Sequence, residues 1–354
     1  ALDRAGTAHV VWVKAGDGGH EILYSRCGEG QCAVPLRLSG PTPLPAASSG
    51  PVSAPAIAVN GHDVVMVGWP DGADGLAYGT WAAAEAPVSA MTSNVPLADV
   101  PLAGEQRLSG TADGSFVLVF NSDSGSSGEI QTLRWVDGSW EAPPQTIGTG
   151  RLPEIVMDSE GTLHAAWCEA DGLVYWSEGQ AQTPFSTPCT SRPGLAQDSE
   201  GRMHVAWYAD QVENALGRTA SHDVIVESIE DDDNWLPPAI VARPDRASPP
   251  ALAAGADGVL HMAWSEAEPA QDAVAYATQV QYDCSAYPLS GIAREVYDIA
   301  RQDTYQPPGD IVPYCQNHFD RLWFTPNSDP AFSDHPPTPN GGFDGFADLV
   351  RSAR

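Results

Sequence analysis

A phrase of alternating apolar and polar residues returns several times along the chain. Its clearest copy runs from Pro153 to Trp167, where an apolar strand leads into an acidic glycine turn and then into a second strand that closes on the tryptophan. In that second strand Leu163, Ala165 and Trp167 share one face and His164 lies on the other, because side chains alternate along a β-strand. This period of two predicts a hairpin of half-buried strands.

The second strand of the phrase occurs six times, and each copy ends on an aromatic residue at intervals of 40 to 57 residues. Self-similarity at such a period is typical of repeat architectures. Each unit adds a further apolar strand and a polar-turn hairpin, which makes four short strands per unit. The sequence therefore predicts an all-β fold, a six-bladed β-propeller of four-stranded blades over residues 1–284. The six aromatic positions are Trp12, Trp69, Phe120, Trp167, Trp207 and Trp264.

Two short motifs connect these units to a known family. The pattern D-x-x-G-x-x-H-x-x-W occurs at 158–167 and again at 198–207, and a D-G-S-W turn occurs at 137–140. In these motifs the units resemble the BNR/Asp-box repeats of sialidase-like propellers over residues 1–284. The resemblance implies the propeller fold, and it keeps a sialidase-like glycoside hydrolase as one alternative for the activity.

Beyond residue 284 the repeat pattern stops, and residues 285–354 form a C-terminal extension of mixed helical and irregular character. The spacing of apolar residues predicts short helices at 290–301 and 343–354, and a strand at 321–325. The last segment, F-D-G-F-A-D-L-V-R-S-A-R, resembles the entry to phospholipase D-like domains. This likeness implies that the chain is the processed N-terminal portion of such a protein, although the H-x-K-x-x-x-x-D signature of that chemistry does not occur.

The chain opens inside a repeat, because only two residues precede the first acidic turn. Either processing has removed upstream sequence, or a strand from elsewhere completes the first blade, from residues 321–325 of the extension or from a neighbouring copy. A strand from a neighbouring copy would let the chain form a homo-oligomer or polymer by strand addition.

The charge balance restricts the partners. A net charge of −29 repels phosphate backbones and anionic lipid, and no apolar run approaches a membrane span, so we expect neither nucleic-acid binding nor membrane insertion. No cofactor motif occurs in the sequence. Acidic loops are candidate Ca²⁺ sites, although a solvated turn is the favoured interpretation. The acidic residues in those loops are Asp123, Asp231, Asp232 and Asp233.

Six cysteines are present, and no C-x-x-C metal pattern accompanies them. Their spacing suggests three local disulfides, although six cysteines allow fifteen pairings. Such a framework is typical of proteins outside the cytoplasm, so we expect an extracellular location, either secreted or at the cell surface. The candidates, in pairs, are Cys27 and Cys32, Cys168 and Cys189, and Cys284 and Cys315.

Four histidines share one repeat position, so they could line a central metal or anion site. The favoured alternative is structural: every unit would repeat the same inter-blade hydrogen bond, because buried polar groups need partners. The recurring tyrosines 24, 78, 175 and 276 are likewise expected in the core. The four histidines are His9, His164, His204 and His261.

No arginine cluster matches a sialidase site, and no other catalytic motif occurs, so we assign no catalytic residues. The sequence therefore predicts a non-catalytic extracellular propeller that acts as a binding or assembly module, with a glycan or a protein as its ligand.

Overall fold

The structure is a computed structural model, and it describes most of residues 1–281 together with one short segment of the extension. The described residues are 1–16, 19–28, 30–39, 54–70, 76–85, 93–95, 105–122, 128–180, 183–209, 212–213, 219–220, 224–231, 234–236, 238–242, 249–255, 259–267, 272–281 and 321–324.

Every helix or strand in this described part is a β-strand, and the strands form six successive antiparallel sheets of four strands or more. Sheet 1 contains β1 (Ala8–Gly16), β2 (Gly19–Gly28), β3 (Gln31–Cys32) and β4 (Leu36–Arg37). Sheet 2 contains β5 (Ala56–Val59), β6 (Val64–Pro70), β7 (Leu76–Ala82) and β8 (Ser93–Val95). Sheet 3 contains β9 (Gln106–Gly110), β10 (Phe116–Asn121), β11 (Gly128–Val136) and β12 (Ser139–Trp140).

The remaining sheets follow the same order. Sheet 4 contains β13 (Gln145–Met157), β14 (Leu163–Glu169), β15 (Gly172–Ser177) and β16 (Thr183–Phe185). Sheet 5 contains β17 (Gly194–Gln197), β18 (Met203–Ala209), β21 (Val224–Asp231), β22 (Asn234–Trp235) and β23 (Ala239–Ala242), with a small separate hairpin of β19 (Val212–Glu213) and β20 (Thr219–Ala220). Sheet 6 contains β24 (Ala251–Ala254), β25 (Leu260–Ala267), β26 (Asp272–Gln281) and β27 (Arg321–Phe324). The prediction of an all-β chain made of six propeller-type blades is confirmed by these sheets.

The chain packs as two compact units. The first comprises Ala1–Ala170 and Val174–Thr183, and holds most of sheets 1 to 4; the second comprises Asp171–Leu173 and Pro184–Arg354, and its described part holds sheets 5 and 6. In the first unit the leading strands of successive sheets lie side by side, β1 against β5, β5 against β9 and β9 against β13. In the second unit β17 lies against β24 in the same way.

Neighbouring sheets are joined by apolar cores that include the repeated aromatic residues. Trp69 is buried between sheets 1 and 2, Phe120 between sheets 2 and 3, and Trp167 between sheets 3 and 4. In the second unit Trp264 is buried between sheets 5 and 6. Burying an aromatic side chain of this size removes 150–250 Å² from water, so these residues account for the strict repeat of the closing position.

Sheets 3 and 4 share one strand. The first half of β13 pairs with β11 of sheet 3, and its second half pairs with β14 of sheet 4. The change of partner occurs between Gly150, which opposes Gly128, and Arg151, which opposes Cys168. This crossing joins the two sheets into one eight-stranded sheet.

The predicted strand of the extension is present as β27, but it does not complete the first blade. It pairs antiparallel with β26 and forms the fourth strand of sheet 6, so the sheet pattern takes a strand from beyond residue 284. In sheet 1 the leading position is held by Ala1 and Leu2, which bond to β1 opposite Ala8 and His9. A partner strand from another copy stays a prediction.

The helices predicted at 290–301 and 343–354 lie outside the described residues. Within the described part, no helix has the length and apolar character to cross a membrane.

Candidate functional site

Three residues form a repeated hydrogen-bonded triad inside the sheets. In sheet 4 the imidazole of His164 contacts Asp158 through Nε2 at 2.9 Å and Tyr175 through Nδ1 at 2.5 Å. In sheet 1 His9 contacts Asp3 at 3.2 Å and Tyr24 at 2.6 Å in the same way. Each of these bonds joins residues of one sheet. The prediction that the histidines form hydrogen bonds between blades is therefore wrong.

The aspartate of the triad locks the turn that precedes its histidine. Oδ1 of Asp158 accepts the N–H groups of Glu160 at 2.9 Å and Thr162 at 2.7 Å, while Oδ2 binds His164. Burial works to raise the pKa of Asp158, but the hydrogen bonds from His164 and from the turn outweigh it and lower the pKa. The motif D-x-x-G-x-x-H is therefore a structural device that holds turn and strand together.

The other sheets vary this triad. Sheet 5 keeps Asp198 and His204 but places Glu227 at the tyrosine position, opposite Ala206. Sheet 6 has His261, with Tyr276 at the equivalent register opposite Ala263. Sheet 2 has Asn60, Met66 and Tyr78 at the three positions, and sheet 3 has Thr111, Val117 and Thr132.

The histidines predicted as a possible central site are thus separate, since His9, His164 and His204 each belong to the triad of their own sheet. Among the described residues, no group of three His, Cys, Asp or Glu side chains is arranged to hold a metal ion. Of the acidic loop residues, Asp123, Asp232 and Asp233 lie outside the described part, and Asp231 ends β21.

The gaps between the first three sheets are filled by large aromatic residues. Between sheets 1 and 2, Tyr24 packs edge-on against Trp81, with ring centroids 5.0 Å apart. Between sheets 2 and 3, Tyr78 packs against Trp140 at 5.6 Å, and Trp135 packs beside them. A tyrosine from one sheet and a tryptophan from the next therefore fill each gap.

The gap between sheets 3 and 4 lacks both of these residues. Sheet 3 carries Thr132 at the tyrosine position, opposite Val119. Sheet 4 carries Glu178 where sheets 2 and 3 carry Trp81 and Trp135, because each of the three opposes the residue just before the histidine position of its sheet. Two departures from the repeat therefore open a cleft at a place that aromatic residues fill between sheets 1 and 2 and between sheets 2 and 3.

The cleft has a volume of about 150 Å³, and polar atoms make up most of its lining. Val117 and Leu163 are buried at its base, and the half-buried indole of Trp176 forms one wall and packs on the core between sheets 3 and 4. The sequence pattern alone does not single out Trp176. The residues at its register in the other sheets are small or aliphatic: Ser25, Gly79, Leu133, Ser228 and Ala277.

Polar groups surround the entrance of the cleft. Arg134 of sheet 3 reaches across to Glu178 of sheet 4 with an Nη2–Oε2 distance of 3.7 Å, and both side chains are partly exposed. Glu141 and Gln145 complete the entrance. With one arginine and two glutamates, the lining carries a net negative charge and offers both donors and acceptors.

The cysteines of the described part are all bonded. Cys27 and Cys32 oppose each other across the β2–β3 hairpin and form a disulfide. Cys168 and Cys189 are each disulfide-bonded. Cys284 and Cys315 lie outside the described residues.

No protein-family model and no curated protein sequence matches the chain. Solved structures similar to it include AofleA from Arthrobotrys oligospora, at a TM-score of 0.47 and 11% identity over 77% of this chain and 82% of that one. Another is a fungal lectin from Aleuria aurantia, described with a six-bladed β-propeller fold and a fucose recognition mode, at a TM-score of 0.44 and 12% identity over 77% and 90% of the two chains.

An enzyme is also among these similar structures. A xylan β-1,4-xylosidase from Bacillus halodurans has a TM-score of 0.39 and 12% identity over 65% of this chain and 53% of its own. At TM-scores below 0.5, none of the three assigns a ligand or an activity to this chain.

Proposed function

We propose that the chain is a non-catalytic binding module that holds one sugar unit of a glycan in the cleft between sheets 3 and 4. The observation that carries this proposal is the cleft itself, which exists because Thr132 and Glu178 replace the aromatic residues that fill the equivalent gaps. Packing alone would favour the aromatic residues of the repeat at these two positions. Their replacement therefore supports a binding role for the cleft.

The size of the cleft favours a single ring. Its volume of about 150 Å³ lies below the roughly 300 Å³ at which pockets for drug-sized ligands begin. A pyranose ring has apolar C–H faces and a periphery of hydroxyl groups. The indole of Trp176 offers a flat apolar wall for such a face, and aromatic walls with a few polar groups are typical of ligand sites.

The polar entrance suits hydroxyl groups. A sugar hydroxyl both donates and accepts, so it can accept from the guanidinium of Arg134 and donate to the carboxylates of Glu141 and Glu178. The net negative lining favours a neutral sugar over an acidic one, since an anionic ligand would meet two carboxylates and a single arginine. A sialidase-like site would require several arginines around a substrate carboxylate, and this cleft contributes only Arg134.

A glycan-binding measurement tests the proposal. The wild-type chain is applied to an array of neutral and acidic glycans, and the best ligand is titrated calorimetrically. We expect Trp176→Ala to weaken binding at least about tenfold, as the loss of an aromatic anchor does at other interfaces. The matched control is Trp140→Ala, because Trp140 is also a half-buried tryptophan but lies on the sheet 2 side of sheet 3.

A second variant tests the same site by filling the cleft. Thr132→Tyr restores the residue that the repeat uses elsewhere, so it should fill the cleft and abolish binding while the fold is retained. Glycan binding that survives both Trp176→Ala and Thr132→Tyr would overturn the placement of the site. Cleavage of chromogenic glycosides by the wild-type chain would overturn the non-catalytic assignment.

The disulfide at Cys27–Cys32, together with the bonded Cys168 and Cys189, supports an extracellular setting for this function, because disulfides persist in oxidising compartments.

A further inference from the structure

His204 in sheet 5 lies between two carboxylates. Its Nδ1 is 2.7 Å from Oε1 of Glu227, and its Nε2 is 3.0 Å from Oδ2 of Asp198. The imidazole is fully buried, and the two acidic side chains are at most 5% exposed. Among the triads of sheets 1, 4 and 5, this one has a glutamate at the position where the other two have a tyrosine.

The exchange of tyrosine for glutamate changes what the histidine must do. A tyrosine hydroxyl can donate or accept, so the hydrogen bonds of His164 to Asp158 and Tyr175 do not require a proton on both ring nitrogens. Ionised carboxylates only accept. Both ring nitrogens of His204 must therefore carry a proton to satisfy Asp198 and Glu227, and that requires the imidazolium form.

An arginine lies beside this group. Arg202, on the turn between β17 and β18, donates from Nε to Oδ2 of Asp198 at 3.0 Å and also pairs with Glu200. With His204 protonated, the buried pair of carboxylates faces two cations. When the proton leaves, one of the two short hydrogen bonds loses its donor, and a buried carboxylate is left without that partner.

The described residues in the core contact with the neighbouring sheet are apolar. Ala206 and Tyr208 share the His204 face of β18 and pack against sheet 6. The residues of sheet 6 in that contact are Leu260, Met262 and Trp264, and His261 lies on the opposite face of β25.

We propose that sheet 5 is a pH-sensitive element, in which loss of the His204 proton as the pH rises loosens the pairing of β18 with β21. The inference is independent of the cleft between sheets 3 and 4. The triads of sheets 1 and 4 lack this requirement, because the tyrosine hydroxyl at Nδ1 can donate or accept.

The direction of the effect follows from the electrostatics. Burial works to lower the pKa of His204, but the bonds to Asp198 and Glu227 outweigh it and raise the pKa above its ordinary value of 6.5. A raised pKa in the folded state gives stability that is fully present below 6.5 and is lost as the pH rises through the raised value. For each pH unit between 6.5 and the raised pKa, the equilibrium constant for opening the sheet changes about tenfold.

Hydrogen exchange measured by mass spectrometry from about pH 5.5 to about pH 9, corrected for the intrinsic rate, tests the proposal. We expect the protection of β18 and β21 to fall about tenfold or more across this range. In the same molecule β14 and β15 are the internal control, because their histidine is paired with Tyr175. The variant Glu227→Tyr should remove the fall and leave sheet 4 unchanged.

A second measurement does not depend on any variant. The ¹⁵N shifts of the His204 imidazole in the wild-type chain should report two protonated nitrogens at neutral pH. Shifts typical of a neutral tautomer at that pH, or equal pH dependence of protection in sheets 4 and 5, would refute the proposal.

Discussion

The variant Gly150→Ala should be among the more damaging single-methyl changes in this chain. Gly150 lies at the crossing point of β13, with φ of 152°, and a Cβ added there would lie 2.4 Å from Cδ1 of Trp167 and 2.6 Å from the carbonyl oxygen of Cys168. Trp167 is fully buried in the core between sheets 3 and 4, so its ring can shift only against the side chains of that core. The added methyl group therefore meets a rigid neighbour as well as an unfavourable backbone conformation.

The magnitude can be divided into two parts. An L-residue with positive φ costs about 1–2 kcal/mol, and overpacking of a core costs about 1–3 kcal/mol, so we expect a loss of about 2–5 kcal/mol in the free energy of unfolding. Gly161→Ala is the matched control, because Gly161 has φ of 87° and no atom lies within 4 Å of its added Cβ. That control should show only the backbone part, about 1–2 kcal/mol.

Urea unfolding of the wild-type chain and the two variants measures these losses from the transition midpoint and slope. Any entropic gain from replacing glycine in the unfolded chain is common to both variants and cancels in their difference. That difference should equal the packing part. Equal losses in the two variants would show that the contact with Trp167 does not restrict the crossing and would refute the reasoning.

Two further predictions concern the Cys27–Cys32 disulfide and the hydrogen bonds of Asp113. The double change of Cys27 and Cys32 to serine should lower the free energy of unfolding by about 2 kcal/mol, because the disulfide closes only a short loop; an unchanged unfolding midpoint in oxidising buffer would contradict this. Hydrogen bonds from Thr111 and Ser115 lower the pKa of Asp113 from 3.8 to about 2. Stability from this group is present above 3.8 and lost as the pH falls through about 2. Asp113→Ala should therefore cost on the order of 1 kcal/mol at neutral pH, and acid titration of both proteins should show that difference vanishing.

The repeat was readable from the sequence because packing imposes it. Each sheet must bury an aromatic residue against its neighbour, so positions such as Trp69 and Trp167 return with the same alternation and predict six four-stranded units. The role of the histidines was less accessible. Their partners, Asp158 and Tyr175, were visible as repeated residues, but only the register shows that all three belong to one sheet.

The cleft could not be predicted from the repeat, because it arises where the repeat fails. Thr132 and Glu178 stand at positions that carry aromatic residues elsewhere, and a search for similarity passes over them. A signal was present: aligning the strand after each tryptophan shows threonine in unit 3 and glutamate in unit 5 at the tyrosine position. The glutamate in unit 5 is Glu227. The pairing of β27 with β26 joins segments 40 residues apart, and no local pattern specifies such a partner.

The shared strand β13 has a consequence for how this protein can change over generations. A blade bounded by loops can be duplicated, exchanged or lost as a separate cassette. Sheets 3 and 4 cannot, since a break anywhere in Gln145–Met157 removes an edge from one sheet or the other. The two walls of the cleft are therefore inherited together, and any descendant that rearranges its blades must keep this pair intact or discard both.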